Sequence, residues 1–357
     1  MVVLLWLGFA QSLFSGVLFF FLKKDNRLAN SLLTTWLLII AFEFLTTAID
    51  FNFGKNHLTN PFLILNPLIF FYSKSLINPN YKLKWWQLWH ILPYVFIKVS
   101  AYISGVQLSP NDFFVIDNST WFKITYGIIS IISFIGYSVP SLVMVHRYRI
   151  NLKNEFSTID RKITLGWLLF VIIFYMTFMS IAYLLGIVNV VTKVTTYTQL
   201  VTFSFLLTLI YIFSFYGLLQ EQIYAQEPEE SADIYKNPRV SEKDKQRIRQ
   251  KIESYFTNEK PYLNSELTIT MLSIQLSLSR HALTEVLNTE MGKNFYQFVN
   301  EYRVEEVKTK LADSKYHHFS IDAIGFESGF NSKSTFYAVF KNTTGLTPSQ
   351  FRATLKL

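Results

Sequence analysis

The chain has 357 residues, of which 50% are hydrophobic and 16% charged, and its formal net charge at pH 7 is +8. Its mean hydropathy of +0.25 exceeds that of an ordinary soluble protein, so part of the chain is expected to lie in lipid. The sequence contains no cysteine, which excludes disulfides, thiolate nucleophiles and cysteine-ligated metal sites.

Charge and hydropathy divide the chain into two parts. The long apolar runs lie almost entirely in residues 1–219, whereas residues 220–357 have the composition of a charged soluble domain. Residues 1–225 hold 15 Lys and Arg against 8 Asp and Glu, and the remainder holds 18 against 17. Because the positive charge belongs mostly to the apolar part, nucleic-acid binding has to be argued from particular side chains.

The apolar part is predicted to cross a membrane seven times. A hydrocarbon core about 30 Å thick needs about 20 mainly apolar residues per helical span. The third and fourth stretches are the weakest because polar residues and tryptophans interrupt them, and six or eight spans are the alternatives. The seven predicted spans are residues 2–22, 28–49, 60–78, 85–104, 123–145, 163–187 and 196–219.

The short loops predict the orientation, because Lys and Arg accumulate on the cytoplasmic side of a membrane. Alternate loops carry eleven basic residues against two, and the fourth loop, around Asp112 and Asp117, carries none. The N-terminus is therefore predicted to lie outside and the C-terminal domain in the cytoplasm. The eleven are Lys23, Lys24, Arg27, Lys74, Lys82, Lys84, Arg147, Arg149, Lys153, Arg161 and Lys162, and the two are Lys55 and Lys193.

Glu43 and Lys98 are ionisable residues at similar depths inside predicted spans. Such side chains are costly in lipid and mostly face a bundle interior or a water-filled cavity. One interpretation is that the two pair in the outer half of the bundle and border a signal-binding cavity. The alternative is that each extends separately toward the outer interface.

The soluble part begins with a polar stretch, residues 220–240, which is predicted to be a flexible cytoplasmic linker. Ser241 is then an expected N-cap for an amphipathic helix over 241–256. Residues 241–357 are predicted to form an all-helical domain of six to seven helices. The predicted fold class is therefore all-α, a seven-helix transmembrane bundle followed by a soluble helical domain.

Two helix-turn-helix patterns lie in this domain, 53 residues apart and joined by a predicted helix over 295–311. Ser279 caps the second helix of the first pattern and Ser332 that of the second, which follows a positive φ expected at Gly329. The residues predicted to pack inward are Leu267, Ile269, Leu272, Ile274, Leu276, Leu283, Val286 and Leu287, and then Ile321, Ile324, Phe326, Phe330, Phe336 and Phe340.

The second pattern carries a specific motif. Residues 321–336 read IDAIGFESGFNSKSTF, and Phe340-Lys341, Gly345, Thr347-Pro348 and Phe351-Arg352 follow; Leu267-Thr268-Ile269, Ser279, Leu283, Gly292 and Arg303 precede them. This stretch resembles the arabinose-regulator (AraC/XylS) family of transcription regulators. The resemblance implies two helix-turn-helix units, joined by a long helix, whose recognition helices enter successive major-groove turns of promoter DNA. The membrane part is similar to a seven-span sensor module of some bacterial members.

A recognition helix exposes residues near its N-terminus to base edges, while its opposite face packs. Arg303 is interpreted as a structural partner in the long helix. The family often has a basic residue at the positions of Glu285 and Ala338, which leaves the base preference open. The predicted DNA-binding residues are Arg280, His281, Thr284 and Glu285 in the first unit, Lys333, Ser334 and Tyr337 in the second, and Lys341 and Arg352, with Lys293, for the DNA backbone.

The sequence has no phosphate-binding loop, zinc-peptidase motif or kinase motif, so no catalytic residue, metal site, cofactor or enzymatic activity is predicted. The predicted function is that of a multi-pass transcription regulator in the bacterial inner membrane. Its predicted partners are promoter DNA, the lipid bilayer, an unknown small-molecule or envelope signal, and a second copy in a homodimer. The alternative is a membrane receptor or transporter whose C-terminal domain binds a protein.

Overall fold

A computed structural model describes residues 1–22, 27–53, 61–78, 80–106, 117–159, 163–192, 198–219 and 241–355. Over these residues the chain is built from 14 α-helices and contains no β-strand, which confirms the all-α prediction. It divides into two compact units. Unit 1 comprises Met1–Arg147 and Leu165–Gln226, and unit 2 comprises Tyr148–Thr164 and Glu227–Leu357.

Several predicted features lie outside the described residues, and they stay predictions. They are the linker 220–240 and the loop residues Lys23, Lys24, Lys55, Asp112, Arg161, Lys162 and Lys193.

Unit 1 holds the apolar helices of the chain. A short 3-10 helix, Trp85–Ile91, precedes the fourth of them, and the fifth continues past Arg147 into unit 2. The helices are α1 (Val2–Phe21), α2 (Arg27–Phe53), α3 (Phe62–Ile77), α4 (Leu92–Ile103), α5 (Thr120–Glu155), α6 (Gly166–Thr192) and α7 (Thr198–Leu219).

Among the described residues, five helices that lie wholly or partly in unit 1 are long and apolar enough to cross a membrane, as judged by length and composition. They lie in Val2–Phe21, Arg27–Asn52, Thr120–Glu155, Gly166–Leu185 and Leu200–Leu219. α3 is apolar but has 16 residues, and α4 has 12 because Pro93, which lacks an N–H, stands in its first turn and separates it from the 3-10 helix. The predicted count of seven spans is therefore not confirmed.

Small residues let α1 lie close to its neighbours in unit 1. A Cβ at Gly8 would come within 2.1 Å of the Phe44 ring of α2. The Ser214 hydroxyl of α7 donates to the Ser15 hydroxyl of α1 at 2.8 Å. Close backbone approach and interhelical hydrogen bonds are what hold helices together where the surroundings are as apolar as the helices themselves.

Unit 2 contains seven helices in addition to residues 148–164. The predicted cap at Ser241 is confirmed, because its hydroxyl accepts from the Asp244 backbone N–H, and the Thr347 hydroxyl caps the last helix in the same way by accepting from the Gln350 N–H. The helices are α8 (Glu242–Glu259), α9 (Ile269–Leu276), α10 (Arg280–Thr289), α11 (Phe295–Ala312), α12 (Ile321–Glu327), α13 (Lys333–Thr344) and α14 (Pro348–Thr354).

The long helix α11 belongs to two hydrophobic cores. Its first half contributes Phe295, Phe298 and Val299 to a core formed with α8, α9 and α10. Its second half contributes buried side chains to a core formed with α12 and α13, namely Val304, Val307 and Leu311. The two helix-turn-helix units are therefore packed on one shared helix.

Two residues predicted to pack inward are instead exposed. Ile274 is 73% exposed and Phe326 is 48% exposed. Each lies two residues after a buried residue, Leu272 and Ile324 respectively, and two residues turn an α-helix by about 200°. In helices of eight and seven residues, one face is enough to fill the core.

Gly329 has the positive φ that the sequence predicts, +94°, and its Cα lies against another part of unit 2. A Cβ there would come within 2.2 Å of the Tyr262 carbonyl oxygen and 2.9 Å of the Arg303 Nε. Gly345 also has a positive φ, +78°, but a Cβ there would meet no atom within 4 Å. A side chain at Gly345 would therefore cause backbone strain alone, whereas a side chain at Gly329 would cause both backbone strain and steric overlap.

We expect Gly329→Ala to destabilise unit 2 by more than about 3 kcal/mol, and Gly345→Ala by about 1–2 kcal/mol, the cost of the positive φ alone. Hydrogen exchange of the α11 and α12 amides in the full chain measures both. Equal losses in the two variants would contradict the overlap at Gly329.

Candidate nucleic-acid interface

The first helix-turn-helix unit consists of α9 and α10. Thr268 caps α9, and Ser277 ends it in the left-handed region with a φ of 52°. The Ser279 hydroxyl then accepts from the Ala282 N–H at 3.1 Å and so begins α10. Three residues, 277–279, make the whole turn between the two helices.

The second unit, α12 and α13, repeats this arrangement. The Ser332 hydroxyl accepts from the Thr335 N–H at 3.2 Å and begins α13. The predicted register is confirmed, because the residues four and eight positions after each capping serine are fully buried in both units. These residues are Leu283 and Leu287 in α10, and Phe336 and Phe340 in α13.

Arg303 lies in α11 between the two units and is 1% exposed. Its Nε donates to the Tyr262 carbonyl at 2.8 Å, and its Nη2 donates to the Asn264 carbonyl at 2.8 Å and to the Ser157 hydroxyl at 3.0 Å. Its Nη1 donates to the Ser157 carbonyl at 3.1 Å and to the Thr158 hydroxyl at 3.0 Å. Burial lowers the pKa of this guanidinium to about 10, so it stays charged at neutral pH. The predicted structural role of Arg303 is confirmed.

Arg280 is the first residue of α10, and its guanidinium is paired within unit 2. Its Nη2 lies 3.4 Å from the Glu155 carboxylate, and the two side chains are 22% and 42% exposed. His281 is exposed at the next position, and Thr284 is half-buried one turn later. The predicted base-reading residues of the first unit thus share one end of α10, and one of them already has an acidic partner.

Glu285 is turned toward α8. Its carboxylate lies 3.7 Å from the Lys245 Nζ and 3.6 Å from the His281 Nε2. The hydrogen bond that Lys245 donates to the Glu242 carboxylate, together with the charges of Glu242, Glu285 and Glu290, raises the pKa of Lys245. Lys245 was not singled out by the sequence. Its ammonium group lies within 4.0 Å of the carboxylates of Glu242, Glu285 and Glu290.

Lys333 stands at the equivalent end of α13. Its Nζ lies 2.8 Å from the Asp322 carboxylate of α12 and 5.6 Å from the centre of the Tyr337 ring. The hydrogen bond from Lys333 lowers the pKa of Asp322, and the same bond raises the pKa of Lys333. Ser334 is exposed beside Lys333, while Tyr337 is half-buried. Asp322 thus accepts from one of the three N–H donors of the Lys333 ammonium group, and the Lys333 side chain is 64% exposed.

Of the residues predicted to contact the DNA backbone, Lys341 is exposed near the end of α13. Lys293 pairs with Glu301. Arg352 is directed at the turn before α12, where its Nη1 donates to the Phe319 carbonyl at 3.1 Å and its Nη2 to the His317 carbonyl at 2.6 Å. Arg352 therefore holds this turn, and DNA contact by its guanidinium stays a prediction.

Glu43 and Lys98 lie in unit 1, and their charges interact electrostatically. The Lys98 Nζ also lies 5.6 Å from the centre of the Tyr94 ring. Glu43 is buried. The proximity fits the predicted pairing, whereas the signal-binding cavity stays a prediction.

Residues 272–354 match the family model of a helix-turn-helix domain. The C-terminal part of this chain is an AraC-type helix-turn-helix domain. Its boundaries fall close to the start of α9 and the end of α14, and so take in both units and α11. The family match supports DNA-binding transcription regulation.

The AraC-type domain is similar to curated proteins called HTH-type transcriptional regulators. An uncharacterized regulator from Staphylococcus aureus strain COL is 30% identical over 91 residues, which cover 26% of this chain and 12% of that protein. An uncharacterized regulator from the cgkA 5′ region of Pseudoalteromonas carrageenovora is 29% identical over 96 residues, which cover 27% of this chain and 54% of that protein. The chain therefore matches at most about half the length of these relatives.

One solved structure, of a protein of unknown function from Listeria innocua, is 28% identical to this chain. The likeness covers 30% of this chain and 95% of that one, with a TM-score of 0.27.

Arg352 and Lys341 allow a structural role to be separated from a surface position in the AraC-type domain. We expect Arg352→Met to destabilise the 316–319 turn by about 1–3 kcal/mol, because the His317 and Phe319 carbonyls lose a charged donor. Lys341→Met should change stability by less than about 0.5 kcal/mol. Hydrogen exchange of residues 316–324 measures the difference, and unchanged exchange in Arg352→Met would contradict the bracing role.

Proposed function

We propose that the chain is a membrane-bound transcription regulator, in which the AraC-type domain binds promoter DNA under the control of a signal sensed by unit 1. The observation that carries the DNA-binding part is the repeated arrangement of α10 and α13. Both helices begin at a serine cap, and each buries one face in its own core with α11. Both present polar or charged residues at the N-terminal end. That is the part of a recognition helix that meets base edges.

The surface of unit 1 supports the membrane part of the proposal. The most apolar stretch of α6 has a mean hydropathy of 2.4, but only 28% of that stretch is buried within the protein. The rest of this helix surface needs an apolar surrounding, which a bilayer provides. The basic loops support a cytoplasmic location for the AraC-type domain, where DNA lies.

The names of the relatives support regulation of transcription rather than the alternative of a receptor or transporter with a protein-binding domain. Signal sensing rests on Glu43 and Lys98, an interacting pair of charges in an apolar unit. Ionisable groups at such positions are retained mostly where they serve a function.

DNA binding is tested with the full chain in lipid nanodiscs and duplexes selected from a random library. We expect specific binding that weakens steeply with salt, because phosphate contacts release counterions. Lys333→Gln should weaken it about five-fold or more, since α13 loses a charged donor at its DNA-facing end. The control is Lys243→Gln, which removes the same charge from the exposed surface of α8. A chain that selects no duplex refutes the regulator, and equal losses in both variants refute the role of Lys333.

The orientation is tested with single cysteines, since the natural chain has none. In intact cells, a membrane-impermeant maleimide should label Asp112→Cys and leave Lys153→Cys unlabelled until the membrane is opened. The cysteine-free parent reports background labelling. The reverse pattern would contradict the proposed topology.

A further inference from the structure

Residues 155–158, which we call the clasp, dock onto the AraC-type domain from a distant part of the sequence. The Ser157 N–H and hydroxyl both donate to the Leu267 carbonyl, at 3.2 and 2.6 Å. Phe156 forms an antiparallel bridge with Thr268, the residue that caps α9. The clasp therefore pairs with the backbone immediately before the first helix-turn-helix unit.

Side chains of α11 hold the other side of the clasp. The Asn300 Nδ2 donates to the Ser157 carbonyl at 3.1 Å, and Arg303 donates to Ser157 and Thr158 through three hydrogen bonds. Ser157, Asn300 and Arg303 are all buried. Buried polar groups are stable only when they are hydrogen-bonded, and here the clasp accepts both hydrogen bonds of the Arg303 Nη1.

The first residue of the clasp reaches the candidate interface. Glu155 holds the guanidinium of Arg280, the first residue of the recognition helix α10. A carboxylate at this position occupies the donor predicted to read DNA, and it also repels an approaching phosphate. Of the four residues of the clasp, Glu155 is the one that carries a charge.

The clasp begins at Glu155, which is also the last residue of α5. This helix runs without a break from Thr120 to Glu155, and its residues up to Arg147 belong to unit 1. A displacement of α5 thus has a covalent route to Ser157 and Glu155.

We propose that the clasp is an autoinhibitory contact: while docked, it withholds Arg280 from DNA, and its release frees the first recognition helix. This inference rests on the proposed function. It assigns a regulatory role to Glu155–Thr158, and it makes α5 the element that delivers the signal.

The first test compares Glu155→Gln with Glu253→Gln in the full chain in nanodiscs. Both variants remove one carboxylate that is paired with an arginine of unit 2, but Glu253 pairs with Arg249 along α8. We expect Glu155→Gln to raise the affinity for the selected duplex about two- to five-fold, the range that loss of a partly exposed ion pair allows. An affinity no higher than that of Glu253→Gln overturns the proposal. Absence of DNA binding in every variant, wild type included, instead refutes the proposed function.

The second test locks the clasp through Phe156→Cys with Thr268→Cys. The bridge geometry, with the Ser157 N–H bonded to the Leu267 carbonyl, is that of a non-hydrogen-bonded pair, whose Cα atoms lie about 4.5 Å apart, close enough for a disulfide. Oxidation should lower DNA affinity about five-fold or more, and reduction should restore it. The two single-cysteine variants control for loss of the Thr268 cap and for the reagents. Equal affinities of the oxidised and reduced forms overturn the proposal.

Discussion

The buried guanidinium of Arg303 is the interaction on which the AraC-type domain depends. It bonds the carbonyls of Tyr262 and Asn264 before α9, and two residues of the clasp. It also lies 5.9 Å from the centre of the Phe330 ring of the second unit. A charged group is costly to bury, and the cost is offset here because every arm of the fork has an oxygen acceptor. One side chain thus joins two separate backbone segments and an aromatic ring around α11.

Gly329 lies directly against this arginine. The guanidinium and the Tyr262 carbonyl approach so closely that no Cβ fits at residue 329, which moreover has a positive φ. The sequence motif around Gly329 therefore reflects two requirements at once, the end of α12 and the space that Arg303 and its acceptor occupy.

Local features of the fold could be predicted from the sequence, and long-range pairs could not. The serine caps, the four-residue register and the positive φ of Gly329 depend on neighbours within a few positions, so their residue types indicate them directly. The predicted burial of Ile274 and Phe326 was wrong, because hydrophobicity alone does not indicate which face of a two-turn helix packs against the core. Glu155 meets Arg280, and Lys245 meets Glu285, across 125 and 40 residues. No spacing rule connects such positions, so the acidic partner of the first recognition helix was missed. The third and fourth predicted spans are not confirmed, because α3 has 16 residues and a separate 3-10 helix before Pro93 leaves α4 with 12.

The sharing of α11 between two cores has a consequence for the DNA that such a domain accepts. Phe298 of α11 packs with the first helix-turn-helix unit, and Val307 of α11 packs with the second. The helix α11 therefore sets the angle between α10 and α13. Inserting one residue into α11 would rotate one helix-turn-helix unit relative to the other by about 100°. In the proposed function, the length of a single protein helix thus sets the distance and phase between the two stretches of bases that α10 and α13 would read. An added base pair between those stretches would weaken recognition, even when every base within them is kept.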